Sequence, residues 1–215
     1  SKEITGSLML VAILTNSSFM GIPILNAYMG ESAMPYVLVY DQLGTFIALA
    51  TYGTFIASYY SNKNKLTFKI ITLKVLTFPP FLSLVVALFL MVVEFHPVIS
   101  KVLSSFASTI VPIALVAVGL QLQFKLPRED IKPFSFALII KLIIAPIIAI
   151  IICKIFGWNN QASIVSIMEA GMAPMITAGA IASMAGLAPR LSSAIVGYGV
   201  LISFITTAIL FKLIN

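Results

Sequence analysis

The sequence predicts an all-α polytopic membrane protein, and three observations carry that prediction. Of the 215 residues, 60% are hydrophobic and 9% are charged, with a mean hydropathy of +1.09. A soluble domain carries about 25% charged residues, and no soluble fold hides this much apolar surface. The apolar residues fall into segments of membrane-spanning length, about 20 residues each, and the cations lie mostly between them. Two of these segments are broken by polar residues, glycine and proline.

Seven spans are expected. The first covers 7–29 and is broken near Pro23. The second, 35–60, opens with Pro35 at the favoured start of a helix. The third, 70–93, has Pro79 and Pro80 near its first turns. The fourth, 98–121, contains Pro112, and the fifth, 132–156, contains Lys141 and Pro146. The sixth, 161–185, is broken near Pro174, and the seventh is 190–213. The loops between them are short. Tyr59, Tyr60 and Trp158 fall at span ends, as interfacial aromatics do.

Charge orients the spans. One side of the alternation holds Lys2, Lys63, Lys65, Lys69, Lys74, Lys125, Arg128, Lys132 and Arg190, nine of the 13 Lys and Arg residues. The other side holds Lys101, Lys154 and Lys212, and Lys141 is left inside a span. The richer side, with loops 61–69 and 122–132, is expected in the cytoplasm and the C-terminus outside. The net charge of +6 thus reads as membrane orientation and calls for no nucleic acid.

The first and sixth spans then run in opposite directions. Each carries its interruption near mid-span: Thr15-Asn16-Ser17-Ser18-Phe19-Met20-Gly21-Ile22-Pro23 in one and Ser166-Ile167-Met168-Glu169-Ala170-Gly171-Met172-Ala173-Pro174 in the other. In hydrocarbon, a broken helix is tolerated only where it is buried in protein or lines a wet cavity. Two interrupted spans in corresponding positions of an inverted repeat point to a binding site at their crossing. A five-plus-five repeat needs ten spans, so three helices are expected ahead of Ser1.

The run Asn16 to Leu25, followed by Tyr28-Met29-Gly30, resembles the fourth helix of auxin efflux carrier family transporters. Pro112 to Leu122 resembles that family's seventh helix, and Gly171-Met172-Ala173-Pro174 its ninth. The resemblance covers nearly the whole chain, as helices four to ten of ten. It implies a crossover fold of the sodium/proton antiporter-like kind, with a transport domain that moves against a scaffold in an elevator-like manner. By the same resemblance, 1–60 ends the first repeat and lies in the transport domain with 132–215, while 70–121 forms scaffold helices and a homodimer contact. Asn16, Pro23 and Pro174 carry over as substrate-site positions. The plant auxin exporters have Gln where this chain has Ala170, so the substrate is expected to differ from auxin. Their long cytoplasmic loop is absent here as well.

Each candidate residue has a bland reading beside the functional one. Asn16, Ser17 and Ser18 have groups suited to a carboxylate, or they satisfy carbonyls freed by Pro23. Gly21, Pro23, Gly171 and Pro174 shape the backbone and offer it to a ligand. Glu169 lies roughly 12 Å into its span at helical rise. A lone buried carboxylate is expensive, so Glu169 should be protonated, paired or hydrated. It is a candidate for coupling, or else a partner for a cation. Lys141 lies at similar depth and is a candidate counter-charge for an anion or a partner for Glu169. Asp41, roughly 9 Å deep, is a further coupling candidate or is simply hydrated. Gln42 beside it is expected to face elsewhere, His96 to be a solvated loop residue, and Gln121 and Gln123 to be interfacial.

No enzyme signature appears. His and Cys occur once each, so no metal-ligand cluster is encoded by them, and there is no phosphate-cradling loop. Cys153 alone cannot form an internal disulfide. No cofactor is expected beyond coupling to protons or sodium. The expected function is secondary active or facilitative transport of a small organic anion, a carboxylate such as malate or malonate, across a bacterial inner membrane. The alternatives are a sodium-coupled bile-acid-type symporter and a non-transporting membrane receptor or assembly subunit.

Overall fold

The computed structural model describes residues 1–61, 79–93, 95–109, 112, 113, 116 and 128–214. The described chain is helical, and its one piece of extended pairing is a single antiparallel bridge between Thr15 and Pro174. We number the helices α1 Lys2–Val11, α2 Ile22–Met29, α3 Glu31–Tyr60, α4 Pro79–Leu90, α5 Pro97–Ser108, α6 Ile131–Ile155, α7 Gln161–Ala170, α8 Ile176–Met184 and α9 Pro189–Ile214.

α3, α6 and α9 are each long and apolar enough to cross a membrane unbroken. They match the expected second, fifth and seventh spans. The first span is the pair α1 and α2, and the sixth is the pair α7 and α8, so both expected interruptions are present. Lys63, Lys65, Lys69, Lys74, Lys125, Gln121 and Gln123, the start of the expected third span and the segment from Gly119 to Leu122 lie outside the described residues.

The first interruption differs from expectation in its position. The helix ends at Val11 and the chain is non-helical through Asn16, well before Pro23. A wide π turn, Ser17–Gly21, then leads into α2, and Pro23 sits in the first turn of α2. The helix is continuous from Ser17, with the Ile22 N–H donating to Ser17 C=O, so Pro23 does remove an internal donor, and the widened turn just before it relieves that loss. The break is made by the residues up to Asn16, and the second half starts at Ser17, ahead of Pro23. In the sixth span the break does include Pro174, which lies in the extended segment between α7 and α8.

Wide turns recur, two of them at buried charged positions. α3 contains π turns at Tyr40–Thr45, which holds Asp41, and at Leu49–Gly53. α6 contains one at Ile140–Ile144, which holds Lys141. Pro146 follows that turn by two residues. A proline there removes a donor and crowds the carbonyl four residues back, and a widened turn relieves both.

α9 forms the spine of the described bundle. Its buried stripe includes Leu191, Ile195, Val200, Ser203, Thr207 and Leu210. α9 packs against α8, α1, α6 and α7. Hydrophobic burial does not drive helices together in lipid, so close backbone approach must do so. Gly199 supplies one such approach: a methyl group there would lie 2.5 Å from Pro174 Cδ and 3.2 Å from Leu138 Cδ2. α5 has no buried residue. His96 is more than a loop residue, because its exposed ring caps α5 by accepting from the Val98 N–H at 3.4 Å.

Candidate functional site

The two interruptions meet. Asn16 N–H donates to Ala173 C=O at 2.9 Å, and Met175 N–H donates to Leu14 C=O at 3.0 Å. These two bonds pair the segments antiparallel across the Thr15–Pro174 bridge. They satisfy backbone groups that no helix serves, as the interior of a membrane protein demands. Four half-helix ends converge here: the C-terminal ends of α1 and α7, and the N-terminal ends of the Ser17–Gly21 turn and of α8.

These ends are finished differently. The carbonyls ending α7 are capped by side chains. Thr15 Oγ1 donates to Glu169 C=O at 2.7 Å, and Lys141 Nζ donates to Ala170 C=O at 3.2 Å. The N-terminal ends are left open: neither Asn16 nor Met175 caps the helix it precedes with its side chain. By contrast, Ser1 caps α1 and Asn160 caps α7 by accepting from backbone N–H groups. Uncapped N–H groups on an N-terminus with a positive dipole end make an anion-binding surface.

The polar side chains of the crossing are buried. Asn16 is 1% exposed, and its Nδ2 has no hydrogen-bond partner. Ser17 and Ser18 do not cap freed carbonyls. Both hydroxyls donate to Asp41 Oδ1, at 2.6 Å and 2.5 Å. Gln42 Nε2 donates to Asp41 Oδ2 at 2.7 Å, so Gln42 faces Asp41 and not elsewhere. Asp41 is therefore buried and held by three donors, where simple hydration was the bland expectation. This knot ties the Ser17–Gly21 turn to the wide turn of α3.

Glu169 is fully buried, and neither carboxyl oxygen has a hydrogen-bond partner. It lies near enough to Asp41 and Lys141 for their charges to act on it. Lys141 is buried too, but its hydrogen bond goes to the Ala170 carbonyl and not to the Glu169 carboxyl group. The expected Lys141–Glu169 neighbourhood is present, while the direct pair is not. Gly21 packs on the Glu169 carboxyl group, and Gly171 packs on Leu210 and Pro146. Pro23 and Pro174 are buried, the first in α2 and the second against Gly199.

The structure thus gathers all nine candidate positions, Asn16, Ser17, Gly21, Pro23, Asp41, Lys141, Glu169, Gly171 and Pro174, at or beside one crossing. Sequence reasoning missed the capping role of Thr15 and the close approach of Gly199 to Pro174. Thr15 stood in the interrupted run as its first polar residue, and the Gly197-Tyr198-Gly199 run in an apolar span was the available signal for the second. A cavity of about 400 Å³ also went unforeseen. Its lining runs from Trp158 and Asn160 through Cys153, Ser163 and Tyr40 to Ser166 and Ala170, between α3, α6 and α7.

The model of a family described as "Membrane transport protein" matches residues 1–211. The chain is also similar to an uncharacterized transporter of Methanothermobacter thermautotrophicus, with 22% identity over 184 residues. That match covers 83% of this chain and 58% of the relative, so the chain spans less than two thirds of the relative's length. A helical membrane bundle with two broken spans, a crossing lined by buried polar groups and a family match over residues 1–211 agree: the chain belongs to the membrane transport protein family, the auxin efflux carrier family that its Asn16–Pro23 motif resembles.

Proposed function

We propose that the protein carries a small organic anion, a carboxylate of the malate or malonate kind, across the membrane, with the crossing of the two broken spans as its binding site. The observation that carries this reading is the pair of uncapped helix N-termini at the crossing, beside the unpartnered Asn16 Nδ2. Each terminus is worth up to about 2 kcal/mol to a partly buried anion. A millimolar Kd requires about 4 kcal/mol. Two termini therefore reach weak binding only at their upper limit, and a donor and a cation are needed for more. Asn16 supplies the donor and Lys141 the cation.

Movement is assigned to elevator-like alternating access. In this reading 1–60 and 132–215 travel together and 70–121 forms a scaffold that also joins two copies in a homodimer. The cation-rich side, with loops 61–69 and 122–132, faces the cytoplasm of a bacterial inner membrane, and the C-terminus faces outside.

The test is uptake by the protein in proteoliposomes. Labelled malate and malonate are expected to enter saturably and to compete with one another, while an organic cation of equal size does not compete. Saturable uptake of the cation, with no effect of either carboxylate, would contradict the assignment.

A further inference from the structure

Resting on that reading, we propose that Glu169 is the proton carrier of this protein, and that a proton and the anion occupy the crossing together. Three charged side chains, Asp41, Lys141 and Glu169, are buried at the crossing. Asp41 and Tyr40 from α3 and Lys141 from α6 lie within electrostatic reach of Glu169. The Asn16–Gly21 segment contains no charged side chain, and the charged residues of α9, Arg190 and Lys212, stand near its two ends. Glu31 lies at the exposed start of α3.

Two of the three charges are already matched to protein groups. Asp41 accepts from Ser17, Ser18 and Gln42, a donor set that suits an ionised carboxylate. Lys141 donates to the Ala170 carbonyl. Glu169 alone has two buried oxygens and no donor for either. An ionised carboxylate in that position is far more costly than a neutral acid.

With all three groups ionised, the site carries one net negative charge and repels an entering anion. At low dielectric such repulsion is strong over several ångströms. Once Glu169 is protonated, the site is neutral, and Lys141 can act on the anion. Proton and anion therefore favour each other's binding, which is symport. The proton leaves water on one side, forms an O–H bond on a Glu169 oxygen, and returns to water on the other side when that bond breaks.

On the Gly21 side, space favours a proton over a metal ion. The carboxyl group lies so close to Gly21 that a methyl group there would be 2.7 Å from Oε2. A metal ion needs several oxygen ligands around it, and Gly21 closes that side of the carboxyl group to them. The cavity of about 400 Å³ offers a route. Its lining begins at the exposed Trp158 and Asn160 and ends on Ser166, one turn before Glu169, and on Ala170, the next residue.

Two measurements test the proposal. The first follows labelled malate and luminal pH together in potential-clamped proteoliposomes. Wild-type uptake is expected to acidify the lumen and, on the alkaline limb of its pH profile, to fall about tenfold per pH unit. Glu169→Gln is expected to abolish both the acidification and the pH dependence. Uptake without proton movement, uptake that requires sodium, or a Glu169→Gln variant that still moves protons with malate would overturn the assignment while leaving anion transport standing.

The second measurement needs neither transport nor a variant that folds. Infrared spectra of the membrane-embedded protein at neutral pH are expected to show a protonated-carboxyl band that shifts when the glutamates carry ¹³C. A missing or unshifted band would overturn the assignment. A shifted band with no uptake of any carboxylate would leave the proton site standing and refute the transport reading instead.

Discussion

Gly21 lies directly against the carboxyl group of Glu169, across the crossing of the two broken spans. A methyl group on Gly21 would stand 2.7 Å from Oε2 and 2.8 Å from Cδ. The carboxyl group is fully buried and cannot swing into solvent. Gly21→Ala is therefore expected to destabilise the protein by about 1–3 kcal/mol, the usual range for overpacking. Thermal unfolding in detergent measures it. The effect should shrink when Glu169 is shortened to Ala, because the two residues share one space. Equal effects in both backgrounds would show that the clash is not what Gly21 avoids.

Asp41 accepts three hydrogen bonds, two of them from the Ser17–Gly21 turn and one from its own neighbour in α3, so its removal should exceed the removal of any one donor. Ser17→Ala is expected to lower stability by about 1 kcal/mol, in line with hydrogen bonds inside membrane proteins. Asp41→Ala leaves the Ser17, Ser18 and Gln42 donors unpaired and is expected to lower it by about 2–4 kcal/mol. Asp41→Asn should fall between them, since an amide oxygen still accepts. Urea titration of the three variants in mild detergent would order them, and an Asp41→Ala no worse than Ser17→Ala would remove this knot from the account.

Gly199 gives Pro174 the room to lie in the extended segment. Gly199→Ala would bring a methyl group to 2.5 Å from Pro174 Cδ and 2.8 Å from Cγ. Neither the proline ring nor the helix backbone can yield easily. The expected loss is about 1–3 kcal/mol. Gly44→Ala is the control, because its site is open space; its thermal midpoint should match that of the wild type.

The helical membrane architecture was legible because hydropathy and loop charge are properties of the sequence itself. The broken spans were legible for the same reason, since polar residues stand out in an apolar run. Which residue makes each break was harder to read. Proline is the conventional helix breaker, yet Pro23 lies inside a helix that begins at Ser17, just after a wide turn that accommodates it, and the non-helical backbone at Leu14 and Asn16 is satisfied by pairing with Met175 and Ala173. That pairing joins residues about 160 positions apart in the chain, and no local pattern encodes it. Side-chain partners were equally hidden. Gln42 adjoins Asp41 on a helix, where neighbours normally diverge, but the wide turn at Tyr40–Thr45 brings its amide to the carboxylate. Lys141 and Glu169 had the right depths to pair, and the Ala170 carbonyl took the lysine instead.

Lys141 separates a structural role from a functional one. As a helix cap, it should be replaceable by a neutral side chain with a modest loss, about 1 kcal/mol for one hydrogen bond. As the counter-charge for an anion, it should not be replaceable at all. Lys141→Met is expected to fold, with a thermal midpoint lowered by a few degrees, and to raise the KM for malate at least about tenfold, which corresponds to 1.4 kcal/mol. A KM within twofold of wild type would confine Lys141 to capping α7.

The central claim is that the crossing binds the transported anion, and Asn16→Ala tests it most directly. Nδ2 of Asn16 is buried without a partner, so no protein hydrogen bond of that nitrogen is lost with it. Thermal stability is expected to fall by no more than about 1 kcal/mol, while saturable uptake of labelled malate is lost. Uptake that persists at the wild-type KM would contradict the account, and so would a loss of uptake that comes with a large loss of stability.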